Sequence, residues 1–343
     1  MLYGCTGYTG KLMAIEAGKR KMDIVLAGRN PVTVAALAES TGLPYVVCGL
    51  DDPAALDRAL IGVSVVLHCA GPFVDTAPPM VAACISNRIH YLDITGEIDV
   101  FESCARLTVE AEMAGSMLMP GVGFDVVPTD CLAKRLKTAM PDAQSLELVI
   151  KNSGGGVSHG TASTMVKNLG EGSRIRKNGK IVAVPMATPL IEVDFGKGPI
   201  TAAGMPWGDV STAYYTTGIP NITVAFALPP KTLSNLRKSR YINFLLRMNW
   251  VKNLIQKKID NGPAGPSEEA RAKSGTQIWG RVRNAKGKEK TMSIETINGY
   301  GLTVLTGLCI AEKVQKGGFK AGFQTPAGLF GSDILDESVK ATV

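Results

Sequence analysis

The chain has 343 residues, 45% hydrophobic and 20% charged, which supplies core material for about two domains and excludes a disordered chain. No apolar run approaches the ~18–20 residues of a membrane span, no basic-then-apolar leader opens the chain, and the seven cysteines form no CxxC pair, so a spanning protein, a zinc ribbon and a disulfide framework are all disfavoured. Of the net charge of +7, eight cations and no acid lie between Lys231 and Lys258; less these eight, the remainder carries −1, so the basicity is local and the expectation is a cytoplasmic protein with reduced thiols.

In chain order, the opening MLYGCTGYTG sets Gly4, Gly7 and Gly10 directly before KLMAIEAGKRKM, a helical pattern. DIVLAG (23–28) reads as a buried parallel strand, and VTVAALAESTG as a helix stopped by Gly42. PYVVCGL is a third strand, followed by a helix with Asp52 as cap and Pro53 at its first position. VSVVLHCAGPF is a fourth strand ending at a Gly-Pro break, APPMVAACISNRI a helix, and HYLDITGE a fifth strand. Strand and helix alternating through short links predict a doubly wound parallel sheet.

In that setting the opening glycines predict a phosphate turn. A helix N-terminus presents unpaired N–H groups and the positive end of its dipole, which suit a pyrophosphate. The spacing is Gly-x-x-Gly-x-x-Gly, a variant of the Gly-x-Gly-x-x-Gly turn. A central strand normally runs ~5–6 residues, and Met1–Tyr3 supply only its end, so either the start lies upstream or the strand is clipped. The second strand ends in Ala27-Gly28-Arg29-Asn30, without the acid that bonds the ribose hydroxyls in NAD binders. Arg29 offers a planar cationic fork to a 2′-phosphate, so NADP(H) is expected over NAD(H); a merely solvated arginine is the competing reading. The other strand tips that should meet the cofactor are Asp51, Cys69-Ala70-Gly71-Pro72 and Thr95-Gly96-Glu97.

GCTGYTG, LAGRN, CAGPF, YLDITGE and MPGVGFDVVPTD, in this order, resemble the saccharopine dehydrogenase-like oxidoreductases, a group that includes trans-acting enoyl reductases of bacterial lipid assembly. GPSEEARAKSGTQIWGRVRNAKGK and GGFKAGFQTPAGLFGSDIL extend the likeness over nearly the whole chain. The resemblance implies an N-terminal Rossmann domain, a second α+β domain with an open sheet, and a nicotinamide cofactor. It implies cofactor contacts for Gly4, Thr6, Gly7, Tyr8, Thr9, Gly10, Arg29, Asn30, Ala70, Gly71 and Pro72, and a turn near the nicotinamide at Gly121, Gly123, Phe124, Asp125 and Pro128. The chain is shorter than saccharopine-forming enzymes, which points away from lysine-pathway chemistry.

Beyond VVPTDCLAKRLKTAMPDA, a closing helix, the texture changes. SLELVIK, KIVAVPM, PLIEVDF, GPITAAGM, DVSTAYYTTGI and NITVAFALP read as strands of a mostly antiparallel sheet, with GTASTMVKNLGEG an inserted helix. GRVRNAKGKEKTMSIETI reads as a hairpin turning at Lys286-Gly287, and GLTVLTGLCIAEKVQKGG as an apolar helix. The expected division is a Rossmann domain over 1–140, an α+β substrate and oligomerisation domain over 141–300, and a helix and tail over 301–343 packing back across the domain interface.

Candidate proton donors are Glu97 and Asp125 at strand tips and His159 in the glycine-rich turn SGGGVSHGTASTM, where Ser158 and Thr161 are cap candidates. For His159 an exposed, non-catalytic turn histidine is the preferred alternative. His68 and His90 sit in buried strands and read as core histidines. No metal-ligand cluster, Ser-His-Asp order or nucleophile elbow is evident.

The stretch KTLSNLRKSRYINFLLRMNWVKNLIQKK interleaves aromatic residues with cations. A helix pair packed on its own domain or a homodimer partner is preferred over a peripheral contact with an anionic membrane surface, and no nucleic-acid module is recognisable. The expectation is an NADP(H)-dependent oxidoreductase transferring hydride to a C=C, C=N or C=O bond, with a lipid-linked substrate first. An amino-acid secondary-amine dehydrogenase and a non-catalytic, NADP-binding scaffold are the alternatives.

Overall fold

The computed structural model describes residues 1–154, 156–196 and 198–340, without the side chain of Arg240; Gly155 of the glycine-rich turn and positions 341–343 of the expected tail lie outside the described residues. The first stretch alternates strand and helix: β1 (Leu2–Tyr3), α1 (Tyr8–Lys19), β2 (Leu26–Gly28), α2 (Pro31–Thr41), β3 (Tyr45–Val47), α3 (Pro53–Ala59), β4 (Val65–His68), α4 (Phe73–Ser86), β5 (His90–Asp93), α5 (Ile98–Arg106), α6 (Thr108–Ala114), β6 (Met117–Met119) and α7 (Val127–Ala139). The middle stretch comprises β7 (Ala143–Ser153), α8 (His159–Lys167), β8 (Ser173–Lys177), β9 (Lys180–Val184), β10 (Leu190–Asp194), β11 (Pro199–Gly204), α9 (Asp209–Thr217) and β12 (Asn221–Ala227). It continues through α10 (Pro230–Ser239), a 3-10 turn (Arg240–Ile242), α11 (Asn243–Leu246), α12 (Asn249–Asp260), α13 (Glu268–Ala272), β13 (Gly275–Asn284) and β14 (Glu289–Ile297). The chain ends with α14 (Gly299–Gln315), β15 (Gly322–Phe323), α15 (Pro326–Phe330) and α16 (Ile334–Lys340). Two compact units result: Met1–Val127 together with the stretch from Tyr300 onward, and Pro128–Gly299.

The first unit holds a seven-stranded parallel sheet in the order β15-β6-β5-β4-β1-β2-β3. Strands β1, β2, β4, β5 and β6 are buried along their whole length, as expected where helices cover both faces of a parallel sheet. The strand order reverses between β1 and β4, which creates the crevice where doubly wound folds bind ligands. β1 is short but central, and its ladder runs past its ends. Leu67 N donates to Met1 O at 2.8 Å, Cys69 N to Tyr3 O at 2.8 Å, and Gly4 N to Ala27 O at 2.9 Å. The caps follow the sequence: Asp52 accepts from Ala55 N, and Gly42 closes α2 in the left-handed conformation. β15 is unanticipated, because a two-residue strand leaves no periodic signal.

The second unit contains an eight-stranded sheet whose main path is β10-β11-β12-β7-β13-β14, with β8 and β9 attached beside β12. Among its described residues only β12 and β7 pair in parallel. Along β13, Thr276, Ile278, Gly280 and Val282 alternate inward, and a Cβ at Gly280 would stand 2.6 Å from Leu136, so this face closes on α7. One expected strand is corrected: DVSTAYYTTGI forms α9. Its β-branched and aromatic content suggests a strand, but Gly208 and Gly218 bracket it, and apart from Tyr214 and Tyr215 it is buried all round, so packing rather than amphipathic period sets its conformation.

Candidate active site

The turn after β1 carries Gly4, Cys5, Thr6 and Gly7 into α1. Gly4 sits at φ +77°, and a Cβ there would lie 2.7 Å from Ala70 N and 2.8 Å from Ala70 Cβ, so the β1 and β4 tips touch through this glycine. Gly10 seats α1 against Gly4 O. Gly7 differs: it has an ordinary φ of −66°, and an added Cβ would meet only Gly4 O at 3.4 Å and Cys69 O at 4.0 Å. The first N–H groups of a helix point out of its N-terminus by geometry, and those of α1 follow directly on Gly7. No side chain caps α1. A turn that leads into a helix start without a side-chain cap, with room for a methyl group at Gly7, fits a dinucleotide pyrophosphate.

At the β2 tip, Arg29 is exposed, while Asn30 Oδ1 accepts from Val32 N and Thr33 N at 3.1 Å each. Asn30 is therefore the N-cap of α2, which leaves Arg29 as the group at this tip with charge to offer a 2′-phosphate. Asp51, beyond β3, is exposed as well. At the β4 tip, Cys69 packs its Sγ 3.5 Å from Met13 Sδ, and burial pushes the thiol far up. His68 is buried, bonds Thr76 Oγ1 at 3.0 Å, and stacks on Tyr3 with ring centroids 5.4 Å apart. Burial lowers it to about 3, so it is neutral and belongs to the core. His90 likewise accepts from Met117 N at 3.1 Å.

The β5 and β6 tips hold three carboxylates with different fates. Asp93 is fully buried; its Oδ1 accepts from Thr95 N at 2.9 Å and Gly121 N at 2.8 Å, and its Oδ2 from Tyr91 Oη at 2.7 Å. Burial pushes it up to about 7 against the pull of these donors. Glu97 accepts from Phe73 N at 2.9 Å and Val74 N at 3.0 Å, so it caps α4 with both oxygens. Asp125 lies against Gly96, where a Cβ would stand 2.9 Å from its Oδ2. Among the described residues none hydrogen-bonds its carboxyl group, whose surface stays partly open. It is pushed up to about 7 by desolvation first and by the charge of Glu97 second.

The turn that carries Asp125 is clamped from two sides. Gly121 is held by Asp93, Phe124 N donates to Thr303 Oγ1 at 3.0 Å, and Thr306 Oγ1 donates to Val122 O at 2.8 Å. Asp93, Thr303 and Thr306 were not singled out in the sequence. The signal for Asp93 was present: a carboxylate inside the buried run HYLD must have donors. The structure thus gathers Gly4–Gly10, Arg29, Asn30, Asp51, Cys69–Pro72, Glu97, Gly121, Phe124 and Asp125 at the carboxyl end of one sheet. His159 belongs to the second unit, opens α8, and bonds Gly262 O through Nε2 at 2.9 Å. Ser158 caps that helix through Thr161 N.

Comparison with known proteins agrees with this fold. Residues 1–119 match the family model for the saccharopine dehydrogenase NADP-binding domain. A putative trans-acting enoyl reductase of Mycobacterium tuberculosis is 31% identical over 192 residues, covering 50% of this chain and 44% of that protein. The human saccharopine dehydrogenase-like oxidoreductase is 25% identical over 221 residues, covering 56% and 51%. The chain spans about half the length of these curated relatives. Apo saccharopine dehydrogenase (L-Glu forming) from Saccharomyces cerevisiae shares the fold, with a TM-score of 0.67 at 12% identity over 99% of this chain and 96% of that one.

Proposed function

Starting from an N-terminal domain of the saccharopine dehydrogenase NADP-binding family, we propose that the chain is an NADP(H)-dependent oxidoreductase in which Asp125 protonates the reduced substrate. The carrying observation is one carboxyl end of a sheet with both room at Gly7 in the phosphate turn and a carboxyl group, Asp125, that no described residue hydrogen-bonds. When bound, the nicotinamide supplies the hydride. The chain supplies the rest. The start of α1 holds the pyrophosphate, Arg29 favours NADP(H) over NAD(H), and the β4 tip gives a close backbone wall. An acid pushed up to about 7 is about half protonated near neutral pH, and in that form can give its proton to the carbon, nitrogen or oxygen left by hydride addition.

The bond reduced is C=C, C=N or C=O. A lipid-linked enoyl or keto substrate is the first choice, supported by the name of the mycobacterial relative and by the exposed apolar and basic surface of 231–258. An amino-acid secondary-amine dehydrogenase draws support from the shared fold of the yeast enzyme. The test is NADPH oxidation with acyl-chain enoyl and keto compounds and with amino acid–keto acid pairs. Asp125→Asn should bind NADPH normally while kcat falls roughly 10²–10⁴-fold. Absence of NADPH binding would refute the cofactor reading, and full activity in Asp125→Asn the proton-donor role.

A further inference from the structure

Of the large apolar side chains exposed among the described residues, an unusual share lies in one short stretch. Tyr241 (71%), Phe244 (67%), Trp250 (62%) and Leu254 (64%) are joined there by Ile242, Leu245 and Met248. No residue of α10, α11 or α12 is fully buried. α12 nevertheless has two faces. Val251, Lys252, Ile255, Gln256 and Ile259 are half-buried, and they hold α8 through Lys252 Nζ to Lys167 O at 2.6 Å and Gln256 Nε2 to Ser163 Oγ at 2.9 Å. The opposite stripe, spaced i, i+3, i+4, i+7, i+8, is Trp250, Asn253, Leu254, Lys257 and Lys258, and all of it is exposed. α10 repeats the arrangement, with Leu233 and Leu236 half-buried and Lys231, Arg237 and Lys238 outward.

Charge decides what such a surface can meet. No acid occurs from Lys231 to Ile259; Glu171 faces Arg247 at 3.8 Å, and Asp260 accepts from Gln256 at the end of α12. A second copy would set like charges against like. A neutral apolar partner would leave the cations unpaired. An anionic bilayer satisfies both halves, since lysine and arginine reach lipid phosphates while Trp, Tyr and Phe settle at the headgroup boundary. No helix among the described residues is long and apolar enough to cross a membrane. We propose that the exposed face of residues 231–258 docks the chain on an anionic lipid surface, lying in the interface.

The test uses the full chain and vesicles of phosphatidylcholine with or without phosphatidylglycerol. The chain should sediment with the anionic vesicles at low salt, far less with neutral ones, and be released as salt rises. Each cation removed near the surface should weaken binding about fivefold. Arg237→Glu, Lys238→Glu, Lys257→Glu and Lys258→Glu together should therefore weaken it by more than roughly a hundredfold. These side chains are exposed but lie in the last turns of α10 and α12, where a carboxylate opposes the helix dipole, so thermal melts should drop modestly while staying cooperative. Lys→Gln and Arg→Gln at the same positions should weaken binding with smaller change in the melt. The emission of exposed Trp250 should shift to the blue on binding, and Trp250→Phe should abolish that shift. The proposal is overturned by absence of binding at low salt, by binding indifferent to the four charge reversals, or by a dimer in solution that Phe244→Ser with Trp250→Ser dissolves. None of these readouts involves NADPH turnover, so their failure leaves the oxidoreductase reading intact.

Discussion

Gly7→Ala separates a cofactor site from a mere strand–helix elbow. The backbone at Gly7 is already in a region open to any L-residue, and the new Cβ would make only ordinary contacts, the nearest being 3.4 Å from Gly4 O. Losing a glycine N-cap costs a few tenths of a kcal/mol to about 1, and stiffening the unfolded chain returns about 0.4–1, so net stability should hardly move. The methyl group instead occupies the side from which a pyrophosphate must approach. Overpacking of this kind costs about 1–3 kcal/mol, which is a loss of roughly 5–150-fold in NADPH affinity. Gly4→Ala is the contrast. There a positive φ costs about 1–2 kcal/mol and contact with Ala70 about 1–3 more, so the fold itself should lose about 2–5 kcal/mol. NADPH titration by fluorescence and urea unfolding on both variants read the two effects independently. Unchanged NADPH affinity in a fully folded Gly7→Ala protein would refute the phosphate-turn argument.

Arg29→Glu should lower affinity for NADPH much more than for NADH, because a carboxylate meets the 2′-phosphate with like charge and can bond a ribose hydroxyl; parallel titrations with both cofactors check it, and equal losses would contradict the assignment. Asp93, pushed from 3.8 to about 7, keeps in the folded state a proton that the unfolded chain releases, so it makes stability fall as pH rises from about 4 to 7 and contributes no slope above that. Asp93→Asn should remove this slope, and urea midpoints measured across that range should show a wild-type-to-variant difference that changes with pH; a constant difference would mean the carboxyl is not held neutral.

Fold legibility followed the length and period of each element. Strands such as VVLH and HYLD are short, apolar and bounded by turns, and helices opened by Asp52-Pro53 or closed by Gly42 carry their own signals, so the parallel sheet of the first unit was readable. Two places were not. In α9, Tyr and Thr residues favour a strand in isolation, and only burial between Gly208 and Gly218 makes them helical. In β15, two residues gain strand geometry solely from pairing with Met117 and Leu118, a partner some 200 residues earlier in the chain.

The candidate site was legible to the level of position and not of role. Glu97, Asp125 and Asp93 all stand at strand tips, and in the sequence they are three equivalent acids. What distinguishes them is which backbone donors the fold aims at each. Glu97 is consumed by the two N–H groups at the start of α4, and Asp93 by Gly121, Thr95 and Tyr91. Neither can leave those donors without orphaning them, at about 1–3 kcal/mol for each buried group. Asp125 can move a proton without breaking any hydrogen bond among the described residues, and the two acids beside it fix its setting: Asp93 holds its turn through Gly121, and Glu97 lends the charge that helps keep it protonated. The proton donor we propose is therefore defined by what its neighbours already bind, and substituting Glu97 should lower the pH at which Asp125 titrates, which a pH titration of the variant checks.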